Sequence, residues 1–434
     1  MAGAGGRLAV TLTGIATLLV IVRFLGAEGR GEYFLFLTLL ALLTTLADCG
    51  ASQGLAAHAV RVTSPSSERP RPLPRLVPLA LALSAAALTI AAPTYWMLGP
   101  RLVPNVSEWT IGLVAVTLPV NLYVSLWAYS MVGQRRIIAL NAVLAAGAVL
   151  SLGFHSALLV LYAGRPDAAM AAMGAYGVSM GAQALIMGIV TSRGQVNGHR
   201  TPLADQWREV LSFGIRVYPG AIATLAWTRL PVLLLNIFHG PAAVGYFAVA
   251  QQVAEKATLP AGAAQDAVYS IVSTLPRQQA REAMNRYVRV GMWGMAALVL
   301  PVGIAAPWVA MLAFGGDSEA AARTASVLRV LLVGTPFLAG GMIVSSYFLG
   351  QLRRPGTLSF LSILNVAATC LLGLVLIPIW TELGAAAALA AQQCIGAVVI
   401  LALYVRLTGA SAGALVIMRA ADARELLRTV RFFR

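Results

Sequence analysis

Apolar residues run through this chain in twelve stretches, most of them at or above the roughly 20 residues a helix needs to cross a bilayer, and polar residues are largely confined to the short connections between them. The stretches cover 6–25, 31–60, 76–99, 109–133, 137–163, 167–190, 210–238, 242–274, 287–314, 320–350, 357–379 and 383–407. The second is long for one crossing and suits a tilted or extended helix. Its polar end leads into Thr63-Ser64-Pro65-Ser66-Ser67-Glu68-Arg69-Pro70-Arg71-Pro72, a breaker-rich loop.

Composition agrees with this pattern. Of 434 residues, 59% are hydrophobic and 11% charged, against about 25% charged in a soluble domain. The expected fold is an all-α membrane protein of twelve transmembrane helices. Membrane helices consume nearly the whole chain, so no room remains for a soluble catalytic domain, and neither enzyme activity nor a cofactor is expected.

A net charge of +15 would suggest nucleic acid in a soluble protein, but its distribution speaks for topology. Of the 31 cations, 30 are arginine; 22 lie in the connections and tails on the side shared by both termini, five on the opposite side, and four inside the apolar stretches. Such asymmetry predicts cytoplasmic termini and an even number of crossings, with membrane lipids, not nucleic acid, as the surroundings. Cys49, Cys370 and Cys394 lie far apart in apolar stretches and read as packing residues. Leu46-Ala47-Asp48-Cys49 looks like a lipoprotein cleavage site, but the acid before the cysteine argues against one. His58, His155, His199 and His239 show no metal-ligand spacing.

The halves of the chain repeat each other. Leu25-Gly26-Ala27-Glu28-Gly29-Arg30-Gly31-Glu32-Tyr33 recurs as His239-Gly240-Pro241-Ala242-Ala243-Val244-Gly245-Tyr246-Phe247, an offset of 214 between Gly26 and Gly240. Gly133-Gln134 with Arg135-Arg136 is echoed at an offset of 217 by Gly350-Gln351 with Arg353-Arg354. Two parallel six-helix bundles related by a pseudo-two-fold axis along the membrane normal are expected, at 1–200 and 201–407, with 408–434 as a basic amphipathic cytoplasmic tail. Parallel repeats of this kind are a transporter architecture, with the substrate site between the halves.

At these residues the sequence resembles the polysaccharide flippases, of the O-antigen type, in the multidrug/oligosaccharidyl-lipid/polysaccharide exporter superfamily. LGAEGRGEYFL is similar to that family's LGPEGFGLYAL-like first loop, and Leu46-Ala47-Asp48-Cys49-Gly50-Ala51-Ser52-Gln53 to its ADLGLSQ-like run. Trp227-Thr228-Arg229 followed by HGPAAVGYFAVAQQVAEKATLPAG matches a DR…LGPEAVGLYSVAYRL…LP pattern. The last third, from Gly350-Gln351 through Asn365 and Leu376-Ile377-Pro378 to Leu383-Gly384-Ala385-Ala386, is similar to the family's eleventh and twelfth helices. The resemblance implies a cargo of oligosaccharide on a polyprenyl diphosphate, moved from the inner to the outer leaflet of a bacterial cytoplasmic membrane. A polysaccharide polymerase and glycosyltransferases are the partners it implies. Thr228 departs from the family, where an acid often precedes the arginine, and twelve crossings depart from the 14 of lipid II flippases.

Ionisable groups within a membrane cost at least a few kcal/mol each and are functional candidates by default. Thr44, Asp48 and Ser52 recur every four residues and form one polar face; Asp48 either lines a cavity or caps its own helix. Gln252, Glu255, Lys256 and Asp266 stand together on the eighth stretch, where Glu255 and Asp266 share a face unless Pro260 kinks it. Asp48, Glu255 and Asp266 are the candidates for ion coupling, with protons preferred over sodium because the last two stretches offer only Asn365, Gln392 and Gln393. A diphosphate calls for guanidinium forks. Arg216 and Arg229 lie about 220° apart around a straight helix, so one of them faces the cavity; the family match favours Arg229. Candidate substrate contacts are Arg229, Lys256, Arg23, Arg216 and Gln252, with snorkelling to headgroups as the alternative for Arg23 and Arg216. A multidrug or cation exporter of the same fold and a membrane glycosyltransferase are the rival functions.

Overall fold

The computed structural model describes residues 2–63, 75–192 and 203–418. The proposed bundle boundary at 200/201, the loop around Pro70 and the tail arginines from Arg419 onward lie outside the described residues. Those described are helical, with no strand among them. Lipid offers no partner to a bare N–H or C=O, so helices, which satisfy their own backbone, are what these sequences can form there. Among the described residues nine helices are long and apolar enough to cross a membrane.

The helices are α1 (Ala2–Phe24), α2 (Ala27–Asp48), α3 (Ala51–Thr63), α4 (Leu76–Leu102), α5 (Glu108–Gly133), α6 (Ile137–Leu161), α7 (Ala168–Ser192), α8 (Leu203–Ala257), α9 (Leu259–Val272), α10 (Arg277–Ala313), α11 (Ser318–Gly350), α12 (Pro355–Thr408) and α13 (Ala412–Val416). Five of the apolar stretches are divided differently from the sequence expectation. The stretch 31–60 begins earlier, at Ala27, and breaks at Cys49 and Gly50, whose φ angles are 46° and 79°. The break is capped locally: Asp48 accepts from the Ser52 amide at 3.0 Å and from its hydroxyl at 2.6 Å. The seventh and eighth stretches join in α8, which bends at Gly240 (φ 77°), and the eighth is interrupted again before Pro260. The last two stretches join in α12, bent at Thr381 (φ 51°, ψ −126°).

The chain forms two compact units, Met1–Leu225 with Gly240–Gly245, and Ala226–His239 with Tyr246–Arg434. In the first, α1 packs on α6, α6 on α7, α3 on α5, and α2 against α4, α5 and α7. Trp127 is fully buried there and donates its indole N–H to Thr191 at 2.7 Å. In the second, α11 lies against α9, α10 and α12, around Phe348, Ile343 and Tyr404.

Inside a membrane, helices gain little by hiding apolar faces from lipid, and close backbone approach at small residues becomes the main source of contact. The first unit shows this at the repeated loop. A Cβ on Gly31 would collide with the Pro241 carbonyl, and one on Gly245 with the Ala27 carbonyl. At the offset of 214, Ala27 corresponds to Pro241 and Gly31 to Gly245. The two contacts therefore exchange with each other, as an isologous pair does.

In the second unit α10 starts ten residues before the expected stretch, so Arg277, Arg281, Arg286 and Arg289 belong to its first turns and not to a loop. Two of them act as staples. Arg281 donates to the Thr408 carbonyl at 2.9 Å and Arg289, buried, to that of Ala414. Trp293 adds a bond to the Val416 carbonyl at 2.9 Å, so α13 is held along α10.

Gly31→Ala is expected to lower stability by about 1–3 kcal/mol through overpacking, whereas Gly26→Ala, where a Cβ meets nothing within 4 Å, stays within about 0.5 kcal/mol of the parent. Thermal unfolding of the two variants in detergent checks this.

Candidate functional site

The bend at Gly240 returns the chain on itself and brings residues 26 positions apart together. Arg229, before the bend, places Nη1 3.4 Å from Oε1 of Glu255, after it. Gln251, only 3% exposed, sits between the two segments and donates to the Thr228 carbonyl and to Glu255 Oε1, each at 3.0 Å. Thr228 thus contributes its backbone, and the carboxylate facing Arg229 comes from Glu255.

This pairing is loose. The guanidinium meets the carboxylate through one nitrogen at 3.4 Å rather than through a two-bond fork, and the side chains are 23% and 40% exposed. Such pairs hold weakly and exchange readily. Lys256, half-buried on the next residue, has no ion-pair or hydrogen-bond partner among the described residues. The cluster of Arg229, Gln251 and Glu255 therefore holds its one cation loosely, an arrangement open to a competing anionic ligand.

The remaining sequence candidates fall elsewhere. Gln252 makes no hydrogen bond among the described residues; its neighbour Gln251 does the bonding. Asp266, on α9, is exposed. Arg216 is exposed while Arg229 is largely covered, as their angular separation requires. Arg23 is exposed at the last turn of α1, where it can reach headgroups. Asp48 is buried and engaged with Ser52, whose hydroxyl lies 3.2 Å from that of Ser125. Thr44 returns its hydroxyl to Leu40, accepts from Asn121 at 2.9 Å, and Tyr176 extends the chain to Asn121. The polar face read from sequence is thus an internal network reaching α5 and α7.

Two further polar clusters escaped the sequence reading. Arg323 donates through Nε to Glu382 at 2.7 Å, lies 4.3 Å over the Tyr246 ring and 3.7 Å from Glu319. Glu382 is buried beside the strained Thr381, and this ion pair helps hold a backbone conformation that costs of order 1–3 kcal/mol. The Glu319/Arg323 spacing of four was the available signal. Tyr33 and His155, both buried, meet at 3.1 Å between α2 and α6; nothing in their sequence separation signals it. No cluster of three His, Cys, Asp or Glu suited to a metal occurs among the described residues.

The family described as "Polysaccharide biosynthesis protein" matches residues 4–261. The chain belongs to this family. The match takes in Arg229, Gln251, Glu255 and Lys256, and stops short of Asp266. Among curated proteins no sequence match was found. Solved structures supply the fold. A multidrug resistance MATE family transporter of the MOP superfamily, in its inward-facing conformation, superposes with a TM-score of 0.64 at 16% identity over 92% of this chain and 94% of that one. The lipid II flippase MurJ, in an inward closed conformation, gives 0.68 at 12% identity over 93% and 87%. A MOP superfamily transporter from Pyrococcus furiosus, whose reversed pocket polarity suggests a different function, gives 0.61 at 15% identity over 94% and 95%. This member of the polysaccharide biosynthesis family is therefore a multi-pass membrane protein with a MOP-type transporter fold.

Gln251→Ala, which strips a partner from both the Thr228 carbonyl and Glu255, is expected to cost about 1–3 kcal/mol, and Gln252→Ala no more than about 0.5 kcal/mol. Thermal stability of the two purified variants discriminates the adjacent glutamines.

Proposed function

We propose that this protein is a flippase that carries a polyprenyl-diphosphate-linked oligosaccharide from the inner to the outer leaflet of the bacterial cytoplasmic membrane by alternating access. The observation that carries the reading is the loosely paired Arg229, within the span matched by the polysaccharide biosynthesis family. Counting α2 with α3 as one crossing, α9 with the end of α8 as another, and each side of Gly240 and Thr381 separately, the helices leave room for the twelve crossings of this reading; the two-fold repeat in the sequence supports parallel halves, and the arginine distribution supports cytoplasmic termini.

A diphosphate offers what Glu255 offers, anionic oxygens, but more charge and a bidentate edge. It displaces Glu255 from Arg229 and takes Lys256 as a second contact. Arg23 and Arg216 serve the approaching headgroup at the membrane surface, and Gln252 is free to meet the glycan. Protonation of Glu255 removes the competing counter-charge, which couples cargo binding to protons; Asp266 and Asp48 are further proton sites. Membrane lipids surround the prenyl tail, and glycosyltransferases and a polymerase supply and consume the cargo. The flippase catalyses no covalent step. A multidrug exporter of the same fold is the alternative, supported by the MATE likeness; it has less use for the cations Arg229 and Lys256.

Replacing Arg229 tests the reading. Arg229→Ala is expected to reduce outer-leaflet delivery of the lipid-linked oligosaccharide at least tenfold, with Arg229→Lys recovering part of it; wild-type delivery by well-expressed Arg229→Ala would sink the assignment. Glu255→Gln, neutral at every pH, is expected to abolish the response of transport to an imposed pH gradient.

A further inference from the structure

Four contacts in the first unit join the end of α2 and the length of α3 to the first part of α8. His58 Nδ1 lies 3.5 Å from Glu209 Oε2. A Cβ on Gly54 would collide with the Val210 carbonyl, and Gly50 and Gly214 bring their backbones so close that neither admits a Cβ. Tyr218 donates its hydroxyl to the Leu46 carbonyl at 2.8 Å. Positions 58, 54, 50 and 46 thus meet 209, 210, 214 and 218 in reverse order. The spacing of four on one side keeps a single helix face in contact along the antiparallel seam.

The two sides of the seam are held differently. α3 is anchored to α5, where Gly133 abuts Ala56 and Ala59 and Ser52 meets Ser125. α8 is shared: through Leu225 it belongs to the first unit, and from Ala226 to His239 to the second. Pro219 and Gly220 follow Tyr218 directly, a proline that removes a helical hydrogen bond and a glycine that tolerates bending. At its glycines the seam relies on close backbone packing, without interlocking side chains. Backbones that meet at glycine separate without disengaging interlocked side chains, so this part of α8 can leave α3 as one piece.

We infer that residues 203–218 of α8 form a hinged arm that docks on α3 to close this end of the protein and lifts off, pivoting at Pro219 and Gly220, during each transport cycle. The inference rests on the flippase reading for what passes, and its tests separate the two. In protein with Cys49, Cys370 and Cys394 replaced by serine, His58→Cys with Glu209→Cys is expected to form a disulfide on oxidation. Delivery of the lipid-linked oligosaccharide then falls at least tenfold and returns on reduction. Delivery by the cross-linked protein at the reduced protein's rate overturns the arm.

A second measurement needs no cargo. Cys49 and Tyr218 both donate to the Leu46 carbonyl, at 3.4 and 2.8 Å. With Cys370 and Cys394 replaced by serine, Tyr218→Phe is expected to raise the maleimide labelling rate of Cys49 several-fold, because the docked state is weakened. An unchanged rate overturns the proposal. Labelling that responds in a protein that does not move the oligosaccharide supports the arm and removes the proposed cargo.

Discussion

Backbone touching backbone at glycine is the contact on which the first unit depends. A soluble protein draws its helices together by expelling water from apolar faces, and in a bilayer that force is absent between helices. What remains is how closely two helices can approach. Gly31 against Pro241, Gly245 against Ala27, Gly50 against Gly214 and Gly54 against Val210 are all places where even a methyl group does not fit. They set the crossing points of α2 and α3 with α8, and the polar contacts of the first unit are arranged around them. The break at Cys49 and Gly50 sits at one such point, which accounts for Asp48 turning to cap Ser52 there.

α8 is the element through which the parts of the molecule are connected. Its 55 residues contribute to both compact units and change direction at Gly240. That single bend places Arg229 opposite Glu255 and puts Gln251 where one amide can bond a backbone carbonyl and a carboxylate together. The site is therefore a local consequence of one positive-φ glycine. The bend at Thr381 in α12 is a parallel case without glycine, and there the strain is offset by a buried carboxylate paired with Arg323.

The cations divide by what they touch. Arg281 and Arg289, grouped by sequence with the charges that report sidedness, pin α13 to α10 through backbone carbonyls. Arg323, on the sparsely charged side, supports the α12 bend. Arg229 keeps only a loose, single-nitrogen contact with Glu255, which suits exchange of partners better than structural support. Positive charge in this protein thus braces the fold at Arg281, Arg289 and Arg323 and stays loosely paired at Arg229.

Local sequence determined the membrane-spanning nature, the approximate position of the helices, and the repeat at Gly26 and Gly240. Hydrocarbon thickness and backbone self-satisfaction act on each segment separately, so these features need no knowledge of the rest of the chain. Arg229 and Glu255 were legible as candidates because charge is rare in such segments. Their pairing and the part played by Gln251 in place of Gln252 were not, and for Asp48 the choice between lining a cavity and capping its helix stayed open. Each depends on which face of a helix a residue occupies after a bend, and one residue of register turns a side chain by about 100°. The seam between α3 and α8 likewise exists only once two distant segments are brought together, because glycine contacts depend on the exact approach of two backbones, which neither segment specifies alone.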